Sequence, residues 1–302
     1  MSPRPIFILG PTGSGKSAVA LALAERLGRA EIVGADAYQV YRGLSVLTAA
    51  PTAQDLARVP HHLIGCIPPT QAHDAATHAR LALAAIADIA ARGAVPIVTG
   101  GSGLYVKFIS HGISPAPPSD PELRAQLSAL PLAEAVRRLQ EADPEGAAAT
   151  DLQNPRYVVR NLEIVLLGGK PLSYWRNNWQ VEPAGPGVCL VHDPPVLDAR
   201  ITRRSRAMLA HGALREVAAL PPVLSPTAAQ TLGLDTIRAF LTGRIPRSQL
   251  VPDIALATRR YAKRQRSWLR RESWLSPLPV PPSATPESLA EHIFLRFCKK
   301  MS

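Results

Sequence analysis

The sequence predicts an α/β fold, a parallel sheet flanked by helices and interrupted by an all-helical insertion domain. Three observations lead there. Gly10-Pro11-Thr12-Gly13-Ser14-Gly15-Lys16-Ser17 satisfies G-x-x-x-x-G-K-[ST], between an apolar run from Pro5 to Leu9 and a helical pattern from Val19 to Leu27. Apolar strand patterns recur at Glu31 to Gly34, Val95 to Val98 and Gly187 to Val191, separated by helical ones. From Ser114 to Gly185 only helical periodicity follows a proline-rich entry. The first two make the sheet P-loop NTPase-like. The third divides the chain into a first part of the core (1–114), an insertion (115–185) and a core completion with basic helices (186–302).

Composition narrows the partners. The 302 residues are 46% hydrophobic, enough for a real core, and carry Lys+Arg 34 against Asp+Glu 23, a net charge of +11 with a pI near 10.1. That excess points to a polyanion. Cys66, Cys189 and Cys298 are odd in number and far apart, so they imply neither a disulfide framework nor a zinc site and fit a reducing cytoplasm. The N-terminus runs straight into the first strand, leaving no signal peptide. The Ala/Leu-rich stretch from Ala75 to Ala91 is broken by His78, Arg80 and Asp88, which excludes a membrane span.

Taken in order, the first loop is built to hold a di- or triphosphate. Gly13 and Gly15 let the backbone approach an anion with its N–H groups inward, the following helix adds partial positive charge, and Lys16 adds a full one. Ser17 is placed to ligate Mg2+. Asp36 ends the second strand, where open α/β sheets bind ligands, although an acid there can also be a turn or helix-cap residue. His61 and His62 are adjacent, do not share a face and have no third ligand, so a loop or strand-edge role outranks metal binding. Asp74 to Arg92 is an amphipathic helix with Ala79, Leu83, Ile86 and Ala90 on one side. The third strand ends in Thr99-Gly100-Gly101-Ser102-Gly103, a second glycine turn.

Within the insertion, Arg156 and Arg160 share a helix face, which as a bare pattern is also that of a solvated basic surface. Leu197 to His211 is a helix carrying Arg200, Arg203, Arg204 and Arg206. Asp253 to Leu275 places Ile254, Ala257, Tyr261, Trp268 and Leu275 on one apolar side. Its stripes of Arg259, Lys263, Arg266 and Arg270, and of Arg260, Arg264 and Arg271, form a surface for a phosphate backbone. Pro277 to Pro286 is expected to be a loop, and the chain ends in a short helix with a Lys299-Lys300 tail. The third strand lacks the magnesium-ligating Asp usual in phosphoryl transfer, so a cradle with one acid also suits diphosphate as a leaving group.

Five segments in order carry a resemblance: Gly10 to Ser17, Asp36-Ala37-Tyr38-Gln39-Val40-Tyr41-Arg42-Gly43, His61 to Ile64, Gly100 to Tyr105, and Tyr261-Ala262-Lys263-Arg264-Gln265. Together they resemble the tRNA dimethylallyltransferase family (tRNA isopentenyltransferases) from about Pro5 to Arg271. The resemblance implies transfer of a dimethylallyl group from dimethylallyl diphosphate to N6 of the adenosine 3′ of the anticodon, in tRNAs reading codons that begin with U. It implies a monomer that binds the anticodon stem-loop. Gly10, Pro11, Thr12, Gly13, Ser14, Gly15, Lys16 and Ser17 would hold the diphosphate, with Asp36, Lys16, Ser17 and Ser102 as catalytic residues. Asp36, Ala37, Tyr38, Gln39, Ser102, Arg124, Arg156 and Arg160 would meet the tRNA, joined by Lys263, Arg264 and Arg266 of the basic helix.

The chain departs from the family pattern at several points: Ala37 and Tyr38 replace Ser-Met, Ala50 replaces a Lys, Gly65 an Asp, Ser102 a Thr, and Tyr157 an Arg. Three alternatives stand beside the transferase: a phosphate-loop kinase of a small molecule, an isopentenyltransferase acting on free adenylate, and a nucleotide-dependent RNA-binding module. The kinase has no use for the basic helix.

Overall fold

The computed structural model describes residues 3–179 and 182–298. Lys299 and Lys300 lie outside them. The chain forms two compact units, one of residues 1–110 with 183–302 and one of residues 111–182.

The larger unit is built on six parallel strands: β1 (Ile6–Leu9), β2 (Ala30–Ala35), β3 (His61–His62), β4 (Val95–Gly100), β5 (Gly187–Val191) and β6 (Leu275–Pro279). They lie in the order β3-β2-β4-β1-β5-β6. Strands buried on both faces read as near-continuous apolar runs; β1 and β2 are buried throughout, and the one charged residue in them, Glu31 of β2, is paired. Ile6, Ile8, Ile32 and Ile97 pack with Val19 and Leu23 of the phosphate-loop helix (Lys16–Leu27) and Ile293 of the C-terminal helix (Pro286–Phe297). Phe7, Leu9, Val33 and Val98 alternate with them and are equally buried. Register then places the site. Leu9 pairs with both Gly100 and Cys189, and Ala35 pairs with Gly100. Gly10, Asp36 and Gly101 therefore leave the sheet side by side at the carboxyl ends of three neighbouring strands.

Two expectations fail at the C-terminal end. Leu275 does not close the basic helix, which runs from Arg247 to Leu269; it opens β6. Consequently the proline-rich segment does not begin as a loop, because Pro277 and Pro279 lie in that strand. They are tolerated because β6 is an edge: among the described residues it pairs with β5 alone, so a missing N–H on the outer side breaks no ladder bond. His61 and His62 form the opposite edge strand. His62 Nε2 lies 2.7 Å from Glu31 Oε2, and the hydrogen-bonded Arg92 guanidinium, more than His62, holds Glu31 at about 2. That resolves the paired histidines as structural.

The smaller unit is all helix: Pro121–Ser128, Leu132–Ala142, Pro144–Ala148, Pro155–Gly168 and Leu172–Asn177. Asp120, Asp143 and Asn154 cap three of these, each with Pro at the first helical position, where a missing N–H costs nothing. Leu127, Leu139, Val158, Leu162 and Leu172 form its core.

Candidate active site

The phosphate loop turns through two left-handed glycines, Gly13 (φ 84°) and Gly15 (φ 89°), conformations that a side chain would strain. Four side chains distant in sequence hold it. His192 Nε2 lies 2.8 Å from the Ser14 carbonyl, and Arg200 Nε donates to the Gly13 carbonyl at 2.8 Å. Arg204 Nη2 donates to Thr12 Oγ1 at 2.5 Å, and the Thr12 N–H donates to Gln265 Oε1 at 2.8 Å. Arg200 and Arg204 come from the helix Pro194–Ala210, and Gln265 from the basic helix.

Thr12, Gly13, Gly15, Lys16, Ser17, Asp36, Gln39, Arg200, Arg203 and Arg204 line one cavity of about 400 Å³. Lys16 and three arginines thus face a single carboxylate across a space that fits a diphosphate. Of the sequence-predicted loop, Thr12, Gly13, Gly15, Lys16 and Ser17 share this cavity with Asp36, whereas Pro11 lines a different one. The three arginines were legible only as a basic helix, because nothing in their spacing says that the helix covers the loop.

Burial is the largest influence on Lys16 and pulls its pKa to about 8, although Asp36 opposes it. Burial likewise lowers Arg204, with Asp36 again opposing. A depressed ammonium pKa has a measurable consequence. In the free protein Lys16 is charged below pH 8 and neutral above it, so pyrophosphate should bind progressively more weakly above about pH 8, approaching tenfold per pH unit for one lost proton. Calorimetry at stepped pH measures this. Lys16→Arg, which does not titrate, should remove that component while keeping any that belongs to the ligand. Identical profiles for both proteins would mean that Lys16 does not face the anion.

Asp36 begins a tight turn: its Oδ1 accepts from Tyr38 N at 2.9 Å and from Gln39 N at 3.3 Å. The turn role considered for this acid is therefore real and employs one carboxylate oxygen, while the residue still lines the cavity. Gln39 Nε2 bonds the carbonyls of Thr48 (3.2 Å) and Ala49 (3.1 Å), so Gln39 holds the neighbouring loop. Ser102 is buried. Its Oγ accepts from Ala37 N at 3.1 Å and shares a hydrogen bond with the Tyr261 hydroxyl at 3.1 Å. Burial, then Asp36, raises the Tyr261 phenol, which stays neutral.

A second, smaller cleft of about 30 Å³ shares Thr12, Asp36, Thr48 and Arg204 with this cavity. Its walls are Tyr38, Leu47, Met208, Leu232, Ile254 and Tyr261, and the two tyrosine rings stand 6.1 Å apart and tilted by 54°. One end of the site is cationic and the other apolar and aromatic.

On the basic helix, Arg260, Lys263 and Arg264 are exposed. Arg266 is not: it is half-buried beside Pro11, Cys189 and His192 in a separate cavity of about 320 Å³, which corrects its expected place on the outer stripe. Glu272, just past the end of the helix, pairs with Lys107 at 3.3 Å. In the helical unit, Arg124 and Arg160 converge on Glu163, whose side chain is fully buried. Arg160 Nη1 lies 2.6 Å from Glu163 Oε2, and Ser119 Oγ and Asp120 N donate to Oε1 at 2.8 and 3.0 Å. These two arginines neutralise a buried carboxylate, so they have a structural task whatever else they touch. Arg156 is exposed near Arg124, lining a separate cleft with Pro155 and Ser128.

A family model described as IPP transferase matches residues 39–272. The chain is 54% identical over 288 residues to a tRNA dimethylallyltransferase of Akkermansia muciniphila, covering 95% of this chain and 97% of that one. It is 44% identical over 302 residues to the tRNA dimethylallyltransferase of Anaeromyxobacter dehalogenans, covering 96% and 99%. Among solved structures, a tRNA delta(2)-isopentenylpyrophosphate transferase of Staphylococcus epidermidis superimposes with a TM-score of 0.70 at 26% identity, covering 99% and 100%. A eukaryotic dimethylallyltransferase acting on tRNA shares the fold, with a TM-score of 0.81 at 24% identity over 96% of this chain and 77% of that one.

Proposed function

The chain belongs to the IPP transferase family, and from that premise we propose that it is a tRNA dimethylallyltransferase. It moves the dimethylallyl group of dimethylallyl diphosphate to N6 of the adenosine 3′ of the anticodon, in tRNAs reading codons that begin with U. The observation that carries this reading is that the cationic cavity holding Lys16 and the apolar cleft holding Tyr38 and Tyr261 share Asp36 and Arg204 in their walls.

The adenine amine is a poor nucleophile because its lone pair is delocalised into the ring. The reaction therefore needs a leaving group drawn off strongly and a base for the proton. As the allylic C–O bond breaks, negative charge collects on diphosphate. Lys16, Arg200, Arg203, Arg204 and the loop N–H groups stabilise it without reorganising. The N6 lone pair forms the new C–N bond, and the N6 proton passes to Asp36. Tyr38 and Tyr261 stand in the cleft beside Asp36, where stacking of the base on one ring would return part of the few kcal/mol spent in unstacking it. Ser102 and Tyr261 fix the Asp36 turn through Ala37 N.

Mg2+ fits this cavity, where Ser17 offers a hydroxyl oxygen, the donor type a hard cation takes. Ser17 would hold it, and when bound it supplies charge neutralisation on the leaving diphosphate.

We place the protein in the cytoplasm as a monomer. All three cysteines are free, and no described helix is long and apolar enough to cross a membrane. Incubation with labelled dimethylallyl diphosphate, against bulk tRNA or AMP, ADP and ATP, is expected to label tRNA alone. Label on the nucleotides would make it a free-adenylate isopentenyltransferase. Phosphate transfer from ATP without prenyl transfer would make it a kinase.

A further inference from the structure

The basic helix does more than face outward. Its inner side reaches the site at two points one helical turn apart: Tyr261, bonded to Ser102, and Gln265. Gln265 is 4% exposed, and both ends of its amide are used. Oε1 accepts the Thr12 N–H at 2.8 Å, and Nε2 donates to the Gly101 carbonyl at 2.9 Å. Among the described residues it is thus the side chain that bonds both glycine turns, the phosphate loop and the turn after β4.

The packing leaves no slack. A Cβ on Gly101 would stand 2.6 Å from Gln265 Nε2 and 2.5 Å from the Gly10 carbonyl, so the second turn is glycine to let this amide in. Thr12 is pinned twice, by Gln265 at its N–H and by Arg204 at its hydroxyl. A phosphate loop works by aiming consecutive N–H groups inward. A loop amide held outward by a buried acceptor fixes the rotation of the Pro11–Thr12 peptide and, through it, the aim of the amides that follow.

We infer that Gln265 is a positioning residue for the leaving group: its amide sets the orientation of the phosphate loop against the Gly101 turn, so that the loop meets the diphosphate already aimed. This rests on the transferase reading of the same site, and the two are tested separately. Gln265 and Thr258 are the buried polar side chains of the basic helix. Thr258 spends its hydroxyl on the Ile254 carbonyl of its own helix.

Two variants and one wild-type measurement decide it. Gln265→Met keeps the volume and loses both hydrogen bonds. Gln265→Glu keeps the acceptor for Thr12 N but sets a carboxylate oxygen against the Gly101 carbonyl. Both should bind inorganic pyrophosphate about tenfold to a hundredfold more weakly and lose kcat by a similar factor, with a smaller rise in donor KM, because the aimed amides matter most where charge has developed. Affinity for an anticodon stem-loop should stay within about twofold of wild type. A side chain that only fills space would be rescued by Met; pyrophosphate affinity and kcat restored in Gln265→Met would overturn the inference. Should neither variant fold, hydrogen exchange on the wild-type protein without ligand still decides. The Thr12 amide should be protected as a core amide is, and exchange at the rate of an open loop would refute the inference. Pyrophosphate binding and Thr12 exchange need no prenyl acceptor. A wild type that transfers nothing to tRNA would end the functional reading and leave the role of Gln265 to be judged on them.

Discussion

Asp36→Asn should slow prenyl transfer by about 10²–10⁴-fold, the usual worth of a positioned general base. The structure says why this variant is informative. Asp36 Oδ1 accepts from Tyr38 N and Gln39 N, and an asparagine carbonyl oxygen can do the same, so the turn survives. What is lost is a proton acceptor in the cavity. Binding of pyrophosphate and of tRNA should then change little. Asp36→Ala, by contrast, removes the turn's bonds as well and should lower thermal stability in addition to activity. Should Asp36→Asn lose tRNA affinity in proportion to rate, the residue is holding the turn and nothing more. Should it keep more than a tenth of the wild-type rate, another group takes the proton.

How much of this was readable in the sequence depends on how far apart the cooperating residues are. β1, β2, β4 and β5 are mostly apolar and mostly buried runs, a local signal, and the phosphate loop is eight consecutive residues with the correct flanks. β6 was missed because Pro277 and Pro279 read as loop, and only its place at the edge makes them acceptable. The basic helix was found but rotated. Its buried line is Leu250, Ile254, Thr258, Ala262, Gln265 and Leu269, about 60° from the line through Tyr261 and Trp268 at 100° per residue. The error came from Thr258 and Gln265, polar residues that hydropathy assigns to solvent but that hydrogen bonds hold inside. That rotation brings Arg266 partly inward and leaves Lys263 and Arg264 out. Arg204 with Thr12, and Arg124 with Glu163, join segments 192 and 39 residues apart, and no spacing rule reaches them.

Replacing Arg260, Lys263 and Arg264 together by alanine should give the largest loss of tRNA affinity available without touching the site. The three side chains are exposed, so the fold has little to lose; the Arg264 guanidinium lies 5.6 Å from the Tyr261 ring, a minor contact. Each cation on a phosphate releases a counterion, shifting the slope of log affinity against log salt by about 0.7 for single strands and 0.9 for duplex. Losing three contacts should therefore make that slope shallower by about two to three. The affinity penalty should be greatest at low salt and shrink by roughly 20- to 40-fold between 50 and 200 mM. Pyrophosphate affinity should not move, because the loop is held from the opposite face of the helix by Gln265. An unchanged slope would take this helix out of the interface, and the excess of positive charge would then need another surface to act on. A parallel fall in pyrophosphate binding would mean that the outer and inner faces of the helix are not independent.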